Sequence, residues 1–265
     1  MPDLPALILD DGQVDWEHMR QIIHLSTHFL ENVIDANNYP LPEIDALSKR
    51  IRRIGLGIMG LADLLIRLGI AYDSEEGVEL GRKIMAFVDE ESKVESERLA
   101  AQRGVFPEWE QSIWGPDATC ARDKDGNRIR PERKLRNCNV TTVAPTGTIS
   151  MIAGCSSGIE PIFAVAFWRY QAEARMLDIN PDFVARAQRE GWYSEALMAS
   201  IADSGHIHHD GVPAGVQRAF VTAHDIQPDW HVRMQGAFQQ HTDSAISKTI
   251  NFSYEATPEQ VREAY

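Results

Sequence analysis

The chain has 265 residues, 43% hydrophobic and 25% charged, with 39 acidic against 26 basic side chains and a formal charge of −13. That length accommodates one large or two modest domains with a packed core, and the composition excludes a disordered chain, a collagen-like rod and a disulfide-rich miniprotein. The acidity excludes a protein that coats nucleic acid, which needs a basic face to displace counterions, but leaves room for small anions held by backbone N–H groups.

The first predicted element is a helix with Trp16, Met19, Ile22, Ile23, Leu30, Val33 and Ile34 at three- and four-residue spacing and Asp15 as N-cap. Pro40 and Pro42 mark a turn, after which Ile44, Leu47, Ile51 and Ile54 give a second helical stripe. Leu61, Leu64, Leu65 and Leu68 give a third, closed by Gly69 at C′. Asp73 and Glu76 resemble a capping box that opens a long charged helix reaching Gly104. Residues 117–136 are polar and carry the Asp125-Gly126 turn, so they read as a surface loop.

The character then changes. Residues 140–144 are β-rich, and Ile162 to Trp168 is a nearly continuous apolar run, as in a strand buried on both faces. Asn180-Pro181 starts a helix that Gly191 ends, and Ser194 caps a shorter one. Phe220 to Ala223 reads as a short strand, Pro228 opens a helix through Gln240, and Ile246, Lys248, Ile250 and Phe252 alternate with smaller residues as a further strand. Thr257-Pro258-Glu259-Gln260 is a capping box with only two turns of chain after it, which suggests a split or truncated protein. The expectation is one partial α/β domain over 1–265, mainly helical over 1–116 and alternating strand and helix over 137–265.

Gly55-Leu56-Gly57-Ile58-Met59-Gly60 matches GxGxxG, but it comes after the charged helical stretch 48–53 rather than a β run, so it reads as tight packing rather than a dinucleotide site. His206, His208, His209, Asp210, His224 and Asp225 could be imagined around a metal, yet the segment lies between Gly205 and Gly211 with nothing to fix geometry, so no metal site is assigned. Cys120, Cys138 and Cys155 include no CxxC pair, which argues against a disulfide framework and a zinc knuckle and favours a cytoplasmic location. Without a basic neighbour or a partner thiol in sequence, Cys138 and Cys155 read as small buried groups. No apolar run reaches the ~20 residues of a bilayer span, and the N-terminus has no basic-then-apolar signal peptide.

Ala144-Pro145-Thr146-Gly147-Thr148-Ile149-Ser150 stands apart. A strand ends, Pro and Gly force a tight turn, and hydroxyl residues line the start of the next element. Such a turn aims free N–H groups and hydroxyls at one spot, which suits either a phosphate or an ordinary capped turn.

Residues 139–161, from Asn139-Val140-Thr141-Thr142 through Pro145-Thr146-Gly147-Thr148-Ile149-Ser150 to Gly158-Ile159-Glu160-Pro161, resemble the adenosylcobalamin-dependent (class II) ribonucleotide reductases. So do Arg53 to Leu65, Val221 to Ile226, His231 to Gln235 and Ser247 to Phe252, in the same order along the chain. The resemblance implies part of a ten-stranded α/β barrel that reduces ribonucleoside di- or triphosphates by radical chemistry, with adenosylcobalamin as cofactor. It implies that Pro145, Thr146, Gly147, Thr148 and Ile149 hold the substrate phosphates, and it makes GxGxxG part of a helical block. The family's Asn-x-Cys-x-Glu finger loop is absent, as is its C-terminal cysteine pair, so no catalytic residue is carried over. The partners implied are an N-terminal half bearing the radical cysteine and a thioredoxin-like reductant, with no nucleic acid and no membrane. Met1 and the clean start before the first helix favour a separately translated piece. The rival reading is a non-catalytic nucleotide-phosphate-binding or structural subunit. A large subunit of the di-metal, tyrosyl-radical class is disfavoured by the Thr-Gly-Thr-Ile-Ser and Gly154-Cys155-Ser156-Ser157-Gly158 wording.

Overall fold

The computed structural model describes residues 1–9, 12–171, 174–252 and 254–264. Helix α1 (Trp16–Ala36) begins where the Asp15 carboxylate accepts from His18 N at 2.9 Å, and it buries Met19, Ile23, Thr27, Glu31 and Ile34 as one stripe. Helix α2 (Pro42–Ile51) stops before Ile54 because Arg52 turns left-handed at φ 50°, and it buries none of its residues. Ile44 and Leu47 are therefore exposed. Helix α3 (Leu61–Leu68) lies between left-handed Gly60 and Gly69. The long helix α4 (Glu75–Arg103) is capped by Ser74, whose Oγ accepts from Gly77 N at 3.0 Å. The expected cap, Asp73, instead pairs with Arg218 at 2.5 Å, a long-range partner that local spacing does not reveal.

Four extended segments lie side by side, joined by isolated parallel bridges at Asp3 and Met59, Leu56 and Thr141, and Val143 and Ile246. Ile54 N and Leu56 N donate to Asn139 O and Val140 O, Thr142 N returns to Leu56 O, and Val143 N donates to Ala245 O. Helices α3 and α4 connect the 54–59 segment to the 139–143 segment, which is the βαβ logic of a parallel α/β layer. Fully buried Glu31 braces this layer, accepting from Arg52 Nε and Arg136 Nε at 2.7 Å and from Asn137 Nδ2 at 2.6 Å.

Helix α5 (Gly147–Ala153) comes after the third segment, and then an antiparallel hairpin forms from β1 (Ala166–Gln171) and β2 (Ala174–Ile179), with Ala166 opposite Ile179. Helices α6 (Pro181–Glu190) and α7 (Glu195–Ser204) are capped by Asn180 and Ser194 as expected. Helix α8 (Ala214–Ala219), α9 (Pro228–Gln239) and α10 (Pro258–Ala264) complete the chain. At α10 the capping box forms in both directions, Thr257 N to Gln260 Oε1 and Gln260 N to Thr257 Oγ1.

Three strand expectations are corrected. In the 162–168 run only the end joins β1, its partner is antiparallel, and Phe163 and Phe167 are exposed, so the run is not a strand buried on both faces. Residues 220–223 form no strand: Phe220 caps α8, and Thr222 N and Oγ1 both donate to Asp225 Oδ2, at 2.9 and 2.8 Å. A local side-chain turn here competes successfully with β propensity. Of 246–252, only Ile246 is bridged. The ten strands implied by resemblance are not seen among the described residues, which hold four segments joined by parallel bridges, two isolated antiparallel bridges (Ile8 with Val14, Arg122 with Arg128) and one hairpin.

One core gathers Met19 and Ile23 of α1, Leu61 and Leu64 of α3, Ile84, Met85 and Val88 of α4 and Phe238 of α9 around Leu56, Ile58 and Val143. A second packs Phe183, Met198, Ile201 and Phe220 behind the hairpin, with Phe183 edge-on to Phe220 at 5.2 Å. Among the described residues no helix is long and apolar enough to cross a membrane.

Candidate functional site

The third extended segment ends at Pro145, and Thr146 takes φ 54°, a left-handed conformation unusual for a β-branched residue. Its Oγ1 accepts from Gly158 N at 2.8 Å, which holds the residue there. Pro145, Gly147, Thr148 and Ile149 are exposed, whereas Thr146 and Ser150 are buried. Ser150 N closes the first helical bond to Thr146 O at 2.9 Å, and Ser150 Oγ meets Ser157 Oγ at 2.9 Å. Among the described residues the N–H groups of Gly147, Thr148 and Ile149 have no acceptor. Sequence reading therefore placed the turn correctly, and the structure adds the Thr146–Gly158 tie. All five expected phosphate residues are contiguous there, and the three open amides belong to the last three.

Beside α5 lies a cavity of about 680 Å³ whose wall includes Ser150, Ser157, Glu160, Thr249 and Asn251, with exposed Phe163 at the rim. Its cationic residues are committed internally: Arg67 to Asp182 at 3.0 Å and Arg169 to Asp178. Asp63 receives Ser156 N at 2.5 Å, yet burial still pushes its carboxyl above the usual range. Pro145 to Ile149 do not line this cavity; the helix that they open does, through Ser150 and Met151.

Sequence reading missed the group behind the wall. Lys248, with a fully buried side chain, donates to Glu160 Oε2 at 2.5 Å, to His231 Nδ1 at 2.9 Å and to Thr249 O. Glu160 Oε1 accepts from Thr249 N at 2.7 Å. The available signal was a lysine sharing the apolar register of Ile246, Ile250 and Phe252. Burial, reinforced by the Lys248 ammonium, pushes His231 down to about 4, so the ring is neutral at pH 7 and accepts at Nδ1. Because the unfolded imidazole titrates near 6.5, the unfolded chain binds more protons below that pH, and the stability that His231 contributes above pH 6.5 is lost as pH falls towards 4. Urea melts at pH 7.5 and 4.5 should differ by on the order of 2 kcal/mol through this residue, and His231→Gln should flatten that slope. An unchanged slope in the variant would assign the pH dependence elsewhere.

The remaining candidates resolve simply. Gly55 and Gly57 of GxGxxG lie in the extended 54–59 segment rather than in a helix, which corrects the helical block implied by resemblance, and Gly57 permits close approach of the Thr142 carbonyl, while Gly60 opens α3. At the start of α3 two amides are taken by the protein itself, Gly60 N donating to Ser156 O and Leu61 N to Gly158 O. His209 bonds Ser204, His208 bonds Gln217, and no cluster of three metal-ligating groups occurs among the described residues. The Cys155 thiol is pushed up to about 12, first by burial and then by Asp3, so it stays protonated at neutral pH. Burial also raises Cys138.

Residues 3–265 match the family model "Ribonucleotide reductase, barrel domain". The chain therefore belongs to the ribonucleotide reductase family, as a stretch of its barrel domain. It is 44% identical over 264 residues to the vitamin B12-dependent ribonucleoside-diphosphate reductase of Thermoplasma acidophilum, a match covering 99% of this chain and 33% of that one. The Mycobacterium tuberculosis protein of the same name is 43% identical, with 98% and 36% covered. An Actinobacillus ureae class Id ribonucleotide reductase alpha subunit superposes with a TM-score of 0.73 at 20% identity, over 91% of this chain and 42% of that chain, which establishes a shared fold. The chain spans about a third of the length of the vitamin B12-dependent relatives it matches.

Proposed function

We propose that this chain is the phosphate-binding part of a vitamin B12-dependent ribonucleotide reductase, a cytoplasmic enzyme converting ribonucleoside diphosphates to deoxyribonucleotides. The observation that carries the reading is the row of acceptor-free amides at Gly147, Thr148 and Ile149, opened by a strained Thr146, in a chain 43–44% identical to such reductases. Each amide can give a phosphate oxygen a charge-assisted hydrogen bond, and together they supply the positive field that the committed arginines do not. Anchoring the phosphates fixes where the ribose lies, and positioning of this kind is worth several kcal/mol of barrier.

In the reaction the 2′ C–O bond is replaced by C–H, water leaves, and two thiols become a disulfide. None of Cys120, Cys138 and Cys155 matches a position for that chemistry, so the radical cysteine and the redox pair are assigned to a part of the enzyme beyond these residues. A thioredoxin-like dithiol would restore that pair. Adenosylcobalamin supplies the initiating radical when bound. No cobalamin contact is assigned to a residue of this chain. The four bridged segments are read as part of a ten-stranded barrel that the rest of the enzyme completes. Exposed Met151 and Phe163, at 75 and 69%, line the cavity as apolar surface that suits such completion.

The test is reconstitution. This chain, a chain carrying the Asn-x-Cys-x-Glu loop, adenosylcobalamin and a dithiol should together yield deoxyribonucleotide, with neither chain active alone. A complex that forms and bears cobalamin but reduces nothing overturns the catalytic reading and leaves a phosphate-binding subunit.

A further inference from the structure

Glu160 faces the cavity beside the phosphate loop with its side chain 25% exposed, and a bare carboxylate there would repel a polyanion. The residue is also tied to the loop by chain connectivity: Gly158, two positions earlier, donates to Thr146 Oγ1. Lys248 reaches Glu160 from behind. Its side chain is fully buried, its ammonium does not line the cavity, and its three acceptors are Glu160, His231 and the Thr249 carbonyl. Only one of those three is charged, because His231 accepts through a neutral ring. The ammonium therefore has one counter-charge, the wall carboxylate. Taking a lysine out of water is costly, and structural fixation alone could be achieved with an uncharged donor.

We propose that Lys248 is a positioning residue for polyanion binding: it clamps Glu160 through Oε2, opposite the Thr249 N–H on Oε1, and cancels the negative charge of the cavity wall next to the 145–149 loop. The inference rests on the reading of that loop as a phosphate site. It deepens that reading by assigning the charge balance of the site to a residue far from the loop in sequence. The wall admits a diphosphate only while its carboxylate is neutralised from the protein side.

Binding of inorganic pyrophosphate to the full 265-residue chain, measured by calorimetry, tests this with Lys248→Met, Glu160→Gln, the double variant and Gly147→Val as loop control. Lys248→Met should weaken binding about tenfold, and adding Glu160→Gln should restore it to within about twofold of wild type. Glu160→Gln alone, which keeps the shape and removes the wall carboxylate, should bind at least as tightly as wild type, and it serves if Lys248→Met does not fold. A double variant as weak as Lys248→Met would show a purely structural role and overturn the inference, as would Glu160→Gln binding more weakly than wild type. If wild type itself does not bind pyrophosphate, the loop reading fails first and the inference falls with it. If wild type binds and only the loop control is impaired, the loop reading stands and the inference alone is lost.

Discussion

Replacing Gly147 by Val should weaken ribonucleoside diphosphate binding by about a hundredfold while leaving the fold intact. A Cβ added at Gly147 meets no atom within 4 Å, and its φ is not in the left-handed range, so the protein tolerates the side chain sterically. A phosphate would not. The branched side chain adds bulk at the first of the three open amides, and losing one or two charge-assisted hydrogen bonds costs about 1.5–3 kcal/mol each. The measurement is a titration of nucleoside diphosphate against wild type and variant, paired with thermal melts. A variant that binds as well as wild type would remove the loop from the phosphate site, whatever the rest of the enzyme does.

The second large effect falls on stability. Gly57→Val should cost more than about 3 kcal/mol, because a Cβ at that position would overlap the Thr142 carbonyl oxygen, and backbone cannot swing aside as a side chain can. The overlap would push the 54–59 segment off the 139–143 segment and break the Leu56–Thr141 bridge. Because Thr142 lies three residues before Pro145, the 145–149 loop should lose its base as well. Urea denaturation should show the loss directly. A variant within about 0.5 kcal/mol of wild type would show that the two segments do not pack as described.

These two glycines illustrate what local reading can see. At Gly147 the signal was local: a strand-like run, Pro, a left-handed residue, then hydroxyls at a helix start. All of it fell within one short stretch, and the structure bears the turn out. At Gly57 the local pattern suggested helix packing, and the true reason for glycine is the carbonyl of Thr142, far along the chain. Helix starts divide in the same way. Asp15, Asn180, Ser194 and Thr257 cap as expected because a cap is a contact over three residues. Asp73 failed as a cap because Arg218 reaches it from another part of the fold.

The strands were the least legible. Val140 to Val143 and Ile246 carry β-type residues, but parallel pairing is decided by which distant segment lies alongside, and here it reduces to single bridges. Val221-Thr222 had the right residues and lost to a hydrogen-bonded turn with Asp225.

By itself the sequence determined most helices with their caps, the tight turn at Pro145 to Ile149 and the family resemblance, because each rests on residues close together or on wording kept in order. The tertiary structure alone decided that the amides of 147–149 stay open while Gly60 N and Leu61 N at the start of α3 are filled. It alone decided that Glu160, His231 and Lys248 are linked through the Lys248 ammonium, and that every arginine lining the cavity is already paired. Charge and hydrogen-bond balance depend on which groups end up within about 3 Å of each other, and no periodicity in the chain encodes that.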